Sequence, residues 1–260
     1  MEKKNCDNWE KHWSDYSEST EKIPSHSFRR MLIKKILAKE CLANASIIDF
    51  GSGQGDLLTF ISSQFKTKQL LGLELTKIGV EISQKKLPTA LFIQKNLLDN
   101  TPIMSNNTSP TFENYAEYGL CLEVLEHLDE PAQLLRNIHY YLKPKGKIII
   151  TVPGGKMAAF EKHIGHRMHY TKKTLGVLLK SAGYTQFSIQ AAGFPFFNLY
   201  KMITILRGKK LIADVKAQHK QNFSNIIGSI VMKIFNLLFK LNLNFLPFGW
   251  QLIAIVEVNK

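Results

Sequence analysis

The stretch Ile47-Ile48-Asp49-Phe50-Gly51-Ser52-Gly53-Gln54-Gly55-Asp56-Leu57-Leu58 decides the fold. It runs from an apolar strand, through glycine at every second position, into the start of a helix. A backbone without side chains at alternate positions turns sharply and lies flat against a ligand. Dinucleotide folds use a related loop to approach a pyrophosphate. Here the order is G-x-G-x-G, without the later third glycine, which suits an amino-acid or nucleoside ligand better.

The next segments extend the pattern. Leu70-Leu71-Gly72-Leu73-Glu74 reads as a second buried strand ending in an acid. Glu74 lies about 20 residues beyond the loop, the spacing at which a carboxylate accepts both hydroxyls of a ribose. Residues 90–96 read as a third strand and Tyr118-Gly119-Leu120-Cys121-Leu122 as a fourth. Lys143-Pro144-Lys145-Gly146 is a turn before a fifth strand, Lys147 to Pro153. Strand and helix alternate as a doubly wound parallel sheet requires.

In this order and spacing, roughly residues 45–190 resemble the class I S-adenosylmethionine-dependent methyltransferases. The phrase Cys121-Leu122-Glu123-Val124-Leu125-Glu126-His127-Leu128 is similar to the small-molecule branch that includes the ubiquinone-biosynthesis O-methyltransferases. The resemblance implies an α/β, Rossmann-like, seven-stranded sheet whose last strand is antiparallel, binding S-adenosyl-L-methionine. It implies that Asp49, Gly51, Ser52, Gly53 and Gly55 surround the methionine moiety. It implies that Glu74 holds the ribose with Leu75 beside it. Asn96 and Leu97 then flank the adenine, and Cys121 and Leu122 line the cofactor wall. Many relatives carry Asp where this chain has Asn96; an amide oxygen still accepts from the adenine amino group.

Composition agrees with a globular enzyme of 260 residues, 45% hydrophobic. The cysteines Cys6, Cys41 and Cys121 are scattered, show neither metal spacing nor a disulfide framework, and fit a reducing compartment. The N-terminus is polar and lacks the apolar run of a signal peptide, so the cytoplasm is the expected location. The charge is uneven. Residues 1–155 carry 19 Lys+Arg and 18 Asp+Glu, whereas residues 156–260 carry 15 against 3. Nearly all of the net +13 therefore sits in the last two-fifths, which points to an anionic partner: a membrane surface, a phosphorylated substrate or nucleic acid.

Three parts follow. Residues 1–45 form an N-terminal helical cap, with Trp9, Trp13 and Tyr16 on one side and Phe28, Leu32 and Ile36 repeating at period four. Tyr16 and Arg29 are candidates to face the site. Residues 46–191 plus 251–260 form the cofactor-binding core. Thr171 caps a helix that stops at Gly183, and the last strand, Leu252 to Val258, pairs antiparallel with Phe187 to Ala191. Residues 100–117 read as a turn-rich loop. Residues 192–250 are an insertion between strands that a short hairpin often joins, and so a functional element. It opens with the aromatic cluster Phe194-Pro195-Phe196-Phe197 and carries a broadly apolar helix over 224–241, with Ser229, Lys233, Asn236 and Lys240 as a narrow polar stripe. Core packing, a substrate lid, a homodimer contact and an interfacial membrane helix all satisfy that pattern. A membrane span does not, because lysines interrupt a run of modest length.

The chemistry needs a nucleophile aligned behind the methyl carbon and a group to take its proton. His127 is the first candidate base, with a near-neutral pKa just past the fourth strand. His166 belongs to a second group with His163 and His169, which either grips an anionic acceptor or is solvated loop surface. If a helix begins near Leu122, Glu123 shares a face with Glu126 or His127, and the three form a metal site, with Mg²⁺ favoured by oxygen ligands. The same E-x-x-E-H pattern resembles metal sites in some ubiquinone-pathway O-methyltransferases and in small-RNA 2′-O-methyltransferases. The sequence therefore reads as a methyltransferase acting on a small or lipid-like acceptor, most simply at a hydroxyl oxygen. Its rivals are an RNA 2′-O-methyltransferase, disfavoured because no RNA-binding module accompanies it, and a non-catalytic cofactor-binding or scaffold protein.

Overall fold

A computed structural model describes residues 9–10, 24–40, 42–105, 109–110, 112–217, 231, 233–244 and 246–260. The expectations for Cys6, Trp13, Tyr16, Cys41 and residues 218–230 lie outside these. Seven strands form one sheet in the order β3-β2-β1-β6-β7-β9-β8. They are β1 Ser46–Phe50, β2 Gln69–Glu74, β3 Leu91–Gln94, β6 Ala116–Leu122, β7 Leu142–Pro153, β8 Gln186–Ala192 and β9 Gln251–Glu257. β1, β2, β3, β6 and β7 run parallel, while β9 pairs antiparallel with both β7 and β8. The doubly wound sheet with its antiparallel last strand is thus present.

Alternation along β1 sends Ile48 and Phe50 to one apolar cluster and Ile47 to the other. The first cluster is covered by α4 (Pro131–Ile138) and α6 (Lys172–Ser181). The second is covered by α1 (Pro24–Leu37) and α2 (Asp56–Gln64). Phe28, Leu32 and Ile36, the period-four residues of α1, are all buried. A third helix, α3 (Lys77–Lys86), follows β2 and is capped by Thr76, whose hydroxyl accepts from Gly79 N at 3.1 Å. Thr171 caps α6 in the same way, accepting from Thr174 N at 3.1 Å, and Gly183 follows the helix at φ 96°.

Three local expectations are corrected. The stretch read as a loop holds a small hairpin, β4 (Met104–Ser105) with β5 (Ser109–Pro110), and β6 starts at Ala116. β7 begins at Leu142: the segment expected to be a turn is taken into the strand as an irregularity, with Lys145 left-handed at φ 62°, and is hydrogen-bonded across to Val258. The aromatic cluster that opens the insertion leads into a helix that was not foreseen: α7 spans Phe196–Ala217 with a kink at Gly208. Of the helix expected over 224–241, residues 231 and 233–238 are helical, and a 3₁₀ turn follows over Phe239–Leu241.

The insertion is packed into the core. Phe197 stacks on Phe28 with centroids 4.5 Å apart, and Phe235 and Phe239 close over Tyr200. Phe197 is 2% exposed. Phe197→Ala is expected to cost ~3–5 kcal/mol of stability, as truncation of a buried phenylalanine does. Urea denaturation measures this, and a cost below ~1 kcal/mol would mean that the insertion merely rests on the surface.

Candidate active site

Gly51, Gly53 and Gly55 all adopt left-handed backbone, at φ 80°, 55° and 73°. That conformation strains any residue with a Cβ. At Gly51 a Cβ would also lie 2.7 Å from a Val124 methyl. The loop is pinned from below by Gly51 N and Ser52 N, which donate to Leu73 O at 2.8 and 3.0 Å. It is pinned from the side by Glu74, whose carboxylate accepts from Gly53 N at 3.0 Å and from Thr76 N and Oγ1 at 3.0 and 2.8 Å. Ser83 Oγ closes the far side by donating to Gly53 O at 2.9 Å. Asp49 is 3% exposed, and burial, with the Glu74 charge second, pushes its carboxyl up to about 8. Ser52 Oγ is buried with no hydrogen-bond partner among the described residues.

The remaining cofactor candidates lie along the same sheet edge. Leu75 is exposed just past β2, and Lys95 N bonds Glu74 O at 2.7 Å, which brings Asn96 alongside. The Asn96 side chain is exposed and turns back to accept from Leu98 N at 3.0 Å. Leu97 and Cys121 are buried and Leu122 is half-buried. Burial raises the Cys121 thiol well above its ordinary value, which makes it an inert wall rather than a nucleophile.

A second cluster sits past the carboxyl ends of β6 and β7. No helix begins at Leu122. Glu123 takes a left-handed conformation at φ 56°, and Leu125–His127 form a single 3₁₀ turn. Glu123 and Glu126 therefore do not share a helix face. Glu123 turns outward to Arg29 at 3.1 Å and accepts from Thr151 Oγ1 and Gln251 Nε2, each at 2.8 Å. Glu126 turns inward, fully buried, and neither carboxyl oxygen has a hydrogen-bond partner among the described residues. Burial, with the Glu123 charge second, holds it well above the carboxylate range. Leaving a buried polar group unsatisfied costs ~1–3 kcal/mol, so the position is poor for stability and calls for a ligand.

The expected Glu123–Glu126–His127 grouping is thus corrected. One ligand atom each from Glu126, His127 and His166 lie within 4.8 Å of one another, and Glu123 is committed elsewhere. The rings of His127 and His166 meet edge to face at 4.6 Å. Burial, with His127 next, drives His166 down to about 2, so it stands as a neutral imidazole. His169 is 3.3 Å from His166 and 3.1 Å from Gly155 O, whereas His163 is exposed. Of the three histidines only two turn to the site.

Arg29 reaches the site as expected of it. Trp9 packs edge to face on His127 at 4.7 Å, and the neighbouring Glu10 accepts from Lys77 N at 3.0 Å at the start of α3. The N-terminal segment therefore spans from the Glu74 side to the histidine side. Four residues were not foreseen: Thr151, Gln251, Glu161 and Lys201. Glu161, in the short helix α5 (Ala159–His163), ion-pairs with Lys201 of α7 and lies 3.5 Å from His169. Burial lowers Lys201 to about 8. A signal for this pair existed: Glu161 is one of three acids after residue 155, and Lys201 interrupts an apolar run.

A parallel sheet with an antiparallel final strand, carrying a glycine loop after β1 and an acid at the end of β2, defines a class I methyltransferase architecture. Residues 25–188 match the family described as "Methyltransferase domain", and the chain belongs to that family in its S-adenosylmethionine-dependent, Rossmann-like form. A curated relative, a ubiquinone biosynthesis O-methyltransferase of Pseudomonas paraeruginosa, is 24% identical over 131 residues, 49% of this chain and 53% of the relative. The chain thus spans about half the length of the curated relatives it matches. A Haemonchus contortus phosphoethanolamine N-methyltransferase in complex with S-adenosyl-L-methionine superposes with TM-score 0.55 at 14% identity, over 95% of this chain and 60% of that one. A Thermotoga maritima methyltransferase gives 0.56 at 11% identity, over 97% and 98%. These likenesses are of fold.

Asp49 generates a pH prediction. The folded chain holds its proton up to about 8, whereas the unfolded chain releases it near the ordinary aspartate value of 3.8. Its contribution to stability is fully present below the unfolded value and is lost as pH rises through about 8. Asp49→Asn is therefore expected to flatten the fall of stability across that window, by at most ~1.4 kcal/mol per pH unit. Denaturant midpoints measured at several pH values for both proteins check this.

Proposed function

We propose that this chain transfers a methyl group from S-adenosylmethionine to a hydroxyl oxygen of a small or lipid-like acceptor. The observation that carries the reading is the buried Glu126 carboxyl, without a hydrogen-bond partner among the described residues, beside His127 and His166 on the same sheet edge as the glycine loop. The relative's assignment to ubiquinone biosynthesis as an O-methyltransferase supports both the oxygen and the lipid-like acceptor. S-Adenosylmethionine, when bound, supplies a methyl carbon already activated by its sulfonium. The cradle fits its parts: left-handed glycines let a flat ligand approach, Asp49 stands buried at the end of β1 beside the loop, and Glu74, closing β2, is the ribose acid in this reading. Asn96, Leu97 and Leu75 flank the adenine in this reading, and Gly51, Ser52, Gly53, Gly55, Cys121 and Leu122 form the wall.

What remains for the protein is to align the hydroxyl and take its proton. His127 and His166 are the groups placed to do so; burial holds His166 neutral, and Trp9 packs edge to face on His127. The residues also fit a divalent ion. Glu126, His127 and His166 would hold it, and it would lower the pKa of the acceptor hydroxyl. Two imidazoles and one carboxylate favour a first-row transition ion or zinc over the Mg²⁺ that the sequence pointed to. Glu123, fixed by Arg29, Thr151 and Gln251, supports the turn rather than joining the set. Association with an anionic membrane surface belongs to the same reading, since a lipid-like acceptor resides there.

Radiolabelled methyl-S-adenosylmethionine, incubated with protein and cell extract with and without EDTA, tests the proposal. Label is expected in the organic phase; label in RNA would transfer the acceptor to a ribose hydroxyl, and label nowhere would favour a cofactor-binding scaffold. Glu126→Gln is expected to leave stability unchanged or raised while lowering turnover by ~10²-fold. Loss of cofactor affinity in that variant would instead put Glu126 in the cofactor cradle. Glu74→Ala is expected to weaken cofactor binding by ~10²-fold by calorimetry through loss of the loop's anchor as well as the ribose contact.

A further inference from the structure

Sixteen large apolar side chains are exposed among the described residues, and eleven of them fall between Leu199 and Phe248. They are ordered. α7 turns Phe197 and Lys201 inward and leaves Met202 and Leu206 outward, the latter 78% exposed. The helical segment beside it buries Phe235 and Phe239 and leaves Ile234, Leu237 and Leu241 outward at helical spacing. The two segments meet through Tyr200 against Phe235 and Phe239, and each carries an exposed apolar stripe beside that contact. Charge singles out the same element: residues 192–250 hold eight Lys and Arg against one Asp. Arg207, Lys233 and Lys240 are exposed among the apolar positions.

We infer that this face docks on an anionic lipid bilayer, lying in the interface rather than crossing it. Apolar stripes insert to the level of the acyl boundary while flanking lysines meet anionic headgroups. No helix among the described residues is long and apolar enough to span a membrane. A second copy of the chain is a poorer occupant, because a twofold contact sets the same basic patch against itself. Nucleic acid would answer the charge but leave the apolar stripes in water. The docking element is continuous with the site: Lys201, on the inward face of α7, is ion-paired with Glu161 beside His169. Docking therefore sets the acceptor side of the site near the bilayer surface. The choice of a membrane-borne acceptor rests on the methyltransferase reading; the docking itself does not.

Co-sedimentation of the full chain with vesicles of phosphatidylcholine, alone or mixed with phosphatidylglycerol, tests it. Binding is expected to be at least about tenfold tighter to the anionic vesicles and to weaken with salt. Leu206→Glu with Leu237→Glu, both at exposed positions, is expected to abolish it with circular dichroism and cofactor affinity unchanged. Lys233→Glu with Lys240→Glu is expected to remove the preference for anionic lipid. Equal binding by the wild type and the apolar-face variant overturns the inference, as does no binding to either vesicle. A dimer in light scattering that the same variant dissociates also overturns it, in favour of a second copy. Vesicle binding without methyl transfer to any organic-phase acceptor would keep the docking face and refute the acceptor.

Discussion

One carboxylate ties the structure together. Glu123 stands at the end of β6 in a backbone conformation that few residues other than glycine accept, and its side chain joins four elements. It takes Arg29 from α1, Thr151 from β7 and Gln251 from β9. Strain at one residue costs on the order of 1–3 kcal/mol and persists only where the surroundings hold it. Three donors converging on a part-buried acid do so here. The consequence is felt two residues on. Because Glu123 bends outward, the chain re-enters as a tight 3₁₀ turn that drives Glu126 into the interior and lays His127 against His166.

The two halves of the site differ in how they treat acids. Around the glycine loop Glu74 is well partnered: its carboxylate accepts from Gly53 and Thr76 and ties the loop to the end of β2. Around Glu126 the reverse holds, with a buried acid whose oxygens find no donor among the described residues. A protein selected for stability alone would replace it with an apolar residue. The cost is tolerated where a group must stay available for something that comes and goes. The insertion extends this logic outward, since its inner face completes the polar cluster through Lys201 and its outer face remains apolar and basic.

Much of this was legible in the chain. Apolar runs of strand length, the glycines after β1 and the acid closing β2 fix a doubly wound sheet, because each depends only on neighbours within a few residues. The period-four pattern of Phe28, Leu32 and Ile36 located the buried face of α1. Thr171 and Gly183 bounded α6 for the same local reason. The short hairpin at 104–110 was hidden because its residues favour turns and two-residue strands carry no periodicity. α7 was hidden because aromatic residues open it and a glycine kinks it, both of which read as breaks in a helix.

The sequence by itself determined the alternation of strand and helix in the core, the ligand loop and the identity of the histidines and acids near the fourth strand. These follow from short-range rules of backbone freedom and periodicity. Only the tertiary structure decided which of them meet. The spacing of Glu123, Glu126 and His127 favours one helix face, yet Arg29, Thr151 and Gln251, 94, 28 and 128 residues away, draw Glu123 out of it. The sequence marks Glu161 and Lys201 as unusual in their surroundings, but that they pair, 40 residues apart, is likewise decided by the fold. Such contacts are set by which elements the core packs together, and a carboxylate's partner is whatever cation the fold brings within reach once water is excluded.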